Sequence, residues 1–186
     1  MNDLTDEALM LNYCNGQSAA FDELYARHKG GLYRYIDRQL GSGGEYTNEL
    51  YQDVWMKVIK SRNRYKVSAK FSTYLYHIAH NRIIDHWRSL KPEIKNEIEV
   101  DTIEAEALLP DELLQNQEYI QQLKQQIVLL PENQRQVFML QQESGLSLED
   151  IANVTGVNRE TVKSRLRYAF KRLRYGLASF HAGELL

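Results

Sequence analysis

Arg159, Lys163, Ser164 and Arg167 fall in the stretch "NRETVKSRLRYAFKRLR", and if it is a helix they share its exposed side, opposite an apolar face of Val162, Leu166 and Leu173. Lys171 adds a further cation downstream. Guanidinium and ammonium groups there can bind phosphates and, near a helix N-terminus, reach base edges in a major groove. From Val157 to Arg174 there are seven Lys or Arg against one acid, Glu160. A second basic stretch, Lys57 to Lys91, carries nine against Asp85 alone. Within it "KSRNRYKVSAK" interleaves Arg62, Arg64, Lys66 and Lys70 with Tyr65. Cations around an aromatic ring suit single-stranded nucleic acid, because phosphates take the charge and an unstacked base takes the ring. Downstream, Tyr74, His77, Asn81, Asp85 and Arg88 form one stripe of a helix opposite its apolar face. For Asn81, Asp85 and Arg88 a cap or a salt bridge is the competing reading.

Other chemistries find little material. His77 and His80 stand three apart, but with no cysteine and no carboxylate pair beside them they are read as facing solvent or nucleic acid rather than a metal. There is no phosphate-cradling glycine loop and no activated nucleophile, so neither an enzyme nor a bound cofactor is expected. Cys14, the only cysteine, excludes an intramolecular disulfide framework and is read as a small buried apolar residue.

The elements that position these groups read as helices. A chain of 186 residues with 43% hydrophobic content holds one ordinary domain or two small ones. Apolar residues recur at helical spacing at Phe21, Leu24, Tyr25, His28, Leu32, Tyr35 and Ile36, again at Leu50, Val54 and Val58, and again at Leu75, Ile78, Ala79, Ile83, Trp87 and Leu90, before Pro92 stops the pattern. Helices are also expected in "NQEYIQQLKQQIVLL" and, after Pro131, in "ENQRQVFMLQQ". Ser147 with Asp150 resembles a capping box, Gly156 breaks the next helix, and Asn158 can cap the basic one: a helix-turn-helix. The expected fold is all-α, with two small helical domains at 1–92 and 117–186. Between them, from Glu93 to Glu118, nine acids meet only Lys95, and 93–116 reads as an acidic linker. That linker is either a soluble tether or a mask for the two basic domains, and both readings stay open. No apolar run is long enough for a bilayer and "MNDLTDEALML" lacks a signal peptide's pattern, so a cytoplasmic protein without membrane contact is expected.

Two motifs make the reading specific. "LSLEDIANVTGVNRETVKSRLRYAFKRLR" resembles the minus-35-reading part of the fourth domain of bacterial sigma factors, in the extracytoplasmic-function class of the sigma-70 family. "LLPENQRQVFML" is similar to that family's preceding helix, and "STYLYHIAHNRIIDHWRS" to its second-domain helix. The resemblance runs in order through nearly the whole chain, around an unlike linker. It implies a subunit that binds core RNA polymerase and promoter DNA. Arg159, Lys163, Ser164, Arg167 and Lys171 would serve the minus-35 element. Arg62, Arg64, Tyr65, Lys66, Lys70, Asn81, Asp85 and Arg88 would open the minus-10 element and capture a flipped base. The competing class is a stand-alone helix-turn-helix regulator, which leaves the first basic patch without a task.

The chain also departs from the family pattern. Tyr168 and Phe170 stand where relatives often have Arg. In "YTNELYQDVW" the polymerase-binding helix of the family is matched at Glu49, Leu50, Gln52, Asp53 and Trp55, while Tyr46, Thr47 and Asn48 replace its leading "D-A-E". Fewer acids there should weaken docking on a basic polymerase surface. A phosphate on Thr47 would restore negative charge at a helix N-terminus, and a Ser/Thr kinase is therefore an expected partner; harmless drift offset by Glu45 and Glu49 is the alternative. An anti-sigma protein is compatible with the sequence but has no signal in it.

Overall fold

A computed structural model describes residues 4–41, 44, 46–90 and 117–183, with backbone alone for 179–183. The expected linker at 93–116 lies outside the described residues, as does the expected boundary at residue 92. Every regular element among the described residues is helical: α1 (Asp6–Cys14), α2 (Ser18–Gln39), α3 (Thr47–Ser61), a 3-10 turn (Arg62–Arg64), α4 (Phe71–Leu90), α5 (Gln117–Val128), α6 (Glu132–Ser144), α7 (Leu148–Thr155) and α8 (Arg159–Gly183).

Helices α2, α3 and α4 form because their apolar residues recur on one face and bury it against the others. Leu24, Leu32, Tyr35 and Ile36 of α2 meet Leu50, Val54 and Val58 of α3 and Leu75, Ala79 and Ile83 of α4. Tyr35 and Tyr76 are fully enclosed and pack edge to face with centroids 5.3 Å apart. Trp87 is half-buried against this core, whereas Leu90, expected on the apolar face, is exposed at the helix end.

Helix α1 has no counterpart in the sequence reading. Its apolar pattern is short, and it is defined instead by its ends: the Thr5 hydroxyl accepts from the Ala8 amide, and Gly16 turns the chain with a φ of 94°. It lies against α2 and touches the start of α4.

In the C-terminal half, α6, α7 and α8 enclose Val137, Leu140, Ile151, Val162, Leu166, Ala169 and Leu173, and α5 packs along α8. The two halves touch directly. Helix α6 packs on α2, and α7 packs on α4.

Candidate nucleic-acid interface

The helix-turn-helix is set by its caps. The Ser147 hydroxyl accepts from the Asp150 amide at 3.1 Å, and the Asp150 carboxylate accepts in return from the Ser147 amide at 3.3 Å. Gly156 ends α7 in the left-handed region with a φ of 70°, and the Asn158 side chain accepts from the Thr161 amide at 2.7 Å to begin α8. Both caps are as the sequence implies. Val162, Leu166, Ala169, Leu173 and Leu177 face inward, which leaves Arg159, Lys163 and Arg167 exposed along one side of α8.

Ser164 and Lys171 are half-buried beside that row. The Ser164 hydroxyl donates to the Thr161 carbonyl, and the Lys171 ammonium lies 5.7 Å from the Tyr175 ring centre. Arg159 pairs with Glu160 at 3.3 Å. The two departures from the family pattern have separate structural roles. Tyr168 lies under the Arg167 guanidinium at 5.3 Å, and Phe170 turns inward to meet Phe138 edge-on at 5.4 Å.

Within Lys57–Lys91 the segment between α3 and α4 is a loop that opens with the 3-10 turn and rests on α1. The Cys14 thiol donates to the Arg62 carbonyl at 2.9 Å, and the Arg62 guanidinium lies 5.4 Å from the Tyr13 ring centre. Cys14 is half-buried, less enclosed than expected, and burial pushes its thiol pKa up, which keeps it a neutral donor. At the loop's other end the Glu7 carboxylate accepts from the Phe71 amide at 2.7 Å, so α1 caps α4. Between these anchors Arg62, Arg64, Lys66 and Lys70 are exposed.

Tyr65 differs from a free stacking platform. Its ring meets Phe71 and Tyr74 edge-on, and burial pushes its hydroxyl pKa up to about 12. Asn81, Asp85 and Arg88 are exposed on α4; the Asn81 amide is 3.3 Å from His77 Nδ1, and Asp85 and Arg88 lie 3.8 Å apart. His77 is exposed, as expected. His80 is not: it is 8% exposed, burial drives its pKa down to about 4, and its Nδ1 is 2.8 Å from Gln136 Nε2. The expectation of a solvent- or nucleic-acid-facing His80 is thus corrected, because α6 covers this side of α4.

On α3, Glu49 and Gln52 are exposed and Asp53 is half-buried, held by Arg82 at 2.6 Å. Leu50 and Trp55 point into the core, so of the five motif residues only the three polar ones present a surface. Thr47, at the first turn of α3, is 2% exposed, and its hydroxyl has no hydrogen-bond partner; Tyr46 beside it is exposed and packs on His86.

The residues the sequence reading missed are those that join elements: Glu7 at α4, Gln136 at His80, and Glu143, whose carboxylate meets Arg34 at 2.7 Å and whose carbonyl accepts from the Tyr76 hydroxyl at 3.2 Å. Each partner pair is far apart in the chain, so no spacing signals it. Among the described residues no three His, Cys, Asp or Glu side chains gather as a metal ligand set, and no helix is long and apolar enough to cross a membrane.

Comparison with known proteins gives this arrangement a family. The sigma-70 region 2 family matches residues 24–93 and the sigma-70 region 4 family matches residues 127–175. The extracytoplasmic-function (ECF) RNA polymerase sigma factor SigW of Bacillus subtilis is 29% identical over 168 residues, covering 86% of this chain and 89% of that one. The ECF RNA polymerase sigma-E factor of Escherichia coli K12 is 27% identical over 172 residues, covering 88% and 89%. Two solved structures share the fold. CnrH, in complex with the cytosolic domain of CnrY, has a TM-score of 0.67 at 20% identity over 94% of this chain and 97% of that one. The sigma factor RpoE of Bartonella quintana, in complex with the anti-sigma factor NepR, has a TM-score of 0.65 at 22% identity over 85% and 96%. Regions 2 and 4 follow one another in a single chain, each coinciding with one of the two basic surfaces, and the protein is accordingly a sigma factor of the sigma-70 family, in the extracytoplasmic-function class, a subunit without enzymatic activity of its own.

Proposed function

We propose that this chain binds core RNA polymerase, recognises a promoter through two DNA-reading surfaces and thereby starts transcription. The observation that carries the reading is the pairing of a region 4 helix-turn-helix, with cations along the outer side of α8, and a region 2 unit whose exposed loop is basic. Residues 1–92 would form the polymerase-binding and minus-10 unit, and 117–186 the minus-35 unit. Within them Arg159, Lys163, Ser164, Arg167 and Lys171 serve the upstream element. Arg62, Arg64, Lys66, Lys70, Asn81, Asp85 and Arg88 serve the downstream one, with Tyr65 shaping the loop from beneath. Glu49, Gln52 and Asp53 offer core polymerase an acidic and polar surface, backed by Leu50 and Trp55.

The test is gel filtration with purified core polymerase followed by transcription from a mapped promoter. The reading expects co-elution and a defined start site. Lys163→Ala should either weaken upstream binding on all sequences and lower the salt slope by about one, or lose about 1–3 kcal/mol at one base position. DNA binding and promoter response without polymerase association would instead establish a stand-alone regulator.

Thr47 is the proposed phosphorylation site within this reading, supported by the missing acids at 46–48 and its place at the start of α3. Its burial adds a condition: the first turn of α3 must open before a kinase reaches the hydroxyl. Thr47→Ala protein that drives its promoter as well as wild type under inducing conditions would remove the switch. CnrH and RpoE are each held by a protein partner, and an inhibitor of that kind is a further partner class for this chain.

A further inference from the structure

We infer that Tyr168 is a positioning residue for promoter reading: its ring seats the Arg167 guanidinium so that Arg167 reads a guanine in the major groove, and the pair sets one position of the upstream element. The inference rests on the promoter-recognition reading above and deepens it at α8.

The two aromatic departures on α8 have different reasons to be there. Phe170 packs against the apolar core and meets Phe138 edge-on at 5.4 Å, so folding accounts for it. Tyr168 is not part of that core. Among the described residues its ring meets no other aromatic ring and its hydroxyl has no hydrogen-bond partner; what lies against it is the Arg167 guanidinium, 5.3 Å from the ring centre. Successive residues of a helix point about 100° apart, so the backbone does not impose this contact. Buried Leu166 and Ala169 fix the rotation of α8 and turn Arg167 outward beside the exposed Lys163. From there its side chain leans across onto Tyr168, which stands between Ser164 and Lys171 on the adjoining stripe.

Arg167 also differs from the cation that opens the helix. Arg159 pairs with Glu160 at 3.3 Å, whereas no carboxylate among the described residues pairs with Arg167. Its N–H donors therefore remain for nucleic acid. A cation that only neutralises phosphate needs no fixed plane, and an ammonium serves as well. A guanidinium with one face against a ring keeps its donor edge in a set plane, and it gives up part of its rotamer freedom before DNA arrives. Such a fork fits two acceptors lying in one plane, which guanine presents in the major groove through O6 and N7. Arg167 is eight residues beyond Arg159, about 12 Å along the helix, a distance comparable to the width of that groove. An arginine at 168, where the family pattern often has one, would repel the Arg167 guanidinium instead of seating it.

The test uses the full-length chain assembled with core polymerase, and duplexes from a pool randomised across the upstream element. Wild type should select a guanine at one position by about fivefold or more over the other bases. Replacing that guanine by 7-deazaguanine, which lacks the N7 acceptor, should weaken binding several-fold. Arg167→Ala and Tyr168→Leu, the latter keeping bulk without an aromatic face, should each lose the preference there and keep the preferences elsewhere. The double variant should lose no more than either single one, since both act through one contact. Tyr168→Phe keeps the ring and should keep the preference, while Tyr168→Arg should lose it. Circular dichroism melting should show every variant folded, because neither side chain belongs to the core. Unaltered selection by Tyr168→Leu would overturn the inference, as would equal weakening on all sequences, the mark of a merely structural role. A change at a position that Arg167→Ala leaves intact would overturn it too, by making Tyr168 a direct reader. Wild type that fails to join polymerase would overturn the functional reading and this inference together.

Discussion

His80 shows how one side chain changes meaning with its surroundings. On an isolated α4 it would sit beside His77 and look like part of a nucleic-acid-facing stripe. Under α6 it is enclosed, and its imidazole is held neutral with a pKa of about 4, first by burial and second by the neighbouring His77. The unfolded value is near 6.5. Because the folded pKa is the lower one, the His80 contribution to stability is constant above pH 6.5 and falls as pH drops from 6.5 towards 4, by up to about 1.4 kcal/mol per pH unit. Asp150 does not share this window: the Ser147 hydroxyl bond holds its carboxyl below its ordinary 3.8, so its contribution is lost only in stronger acid. Urea unfolding at pH 7.5 and pH 5 should therefore show a marked loss for wild type. His80→Gln, which cannot titrate, should lose the greater part of that difference.

At the scale of elements, α1 supports rather than reads. It lies outside the matched region 2 span, yet its Glu7 supplies the acceptor for the first amide of α4, and its Cys14 and Tyr13 hold the 3-10 turn that opens the basic loop. Glu7→Ala leaves the Phe71 amide without its partner and should lower stability by about 1 kcal/mol, the usual worth of an N-terminal cap. Glu7→Gln keeps an acceptor oxygen and should recover most of it, less the attraction between a charge and the helix dipole. Urea unfolding measures both. Capture of a single-stranded downstream oligonucleotide should weaken in the alanine variant and return in the glutamine one. Binding to an upstream duplex should not change, since α8 is remote in sequence from this anchor and capped by its own Asn158.

For the whole molecule, the near-neutral net charge of −2 conceals two basic surfaces. Those surfaces sit on one body, whose halves share a continuous apolar core with polar links at its edges, such as Arg34 with Glu143 and Lys70 with Asp150. Exposed ion pairs contribute little individually. What gives the contact between the two halves its register is the close approach at Gly31 and the buried His80–Gln136 pair, which tolerate little sliding. That contact is specific in geometry.

The helices themselves were legible from residue order. Their apolar faces repeat at three and four residues, and the signals that start and stop α7 and α8 are local: Ser147 with Asp150, Gly156, and Asn158. The basic row of α8 followed as the side left over once Val162, Leu166 and Leu173 were turned inward. Resemblance to the family then supplied roles that spacing alone could not. The sequence could not disclose α1, whose few apolar residues make no strong period and whose worth lies in Glu7 and Cys14 reaching other elements. Nor did spacing place Trp55, which with Leu50 supports the α3 surface from within, apart from Glu49 and Gln52, which form it. His80 was misplaced, and the burial of Thr47 was not foreseen, for one physical reason: a helical pattern tells which face of an element is apolar, but burial of a polar residue depends on which neighbour lies over it, and that is decided by contacts between residues far apart in the chain. Gly31 carries the same lesson. As a letter it reads as a weak point in a helix, and only the carbonyl of Glu143 against it shows what its missing side chain makes room for.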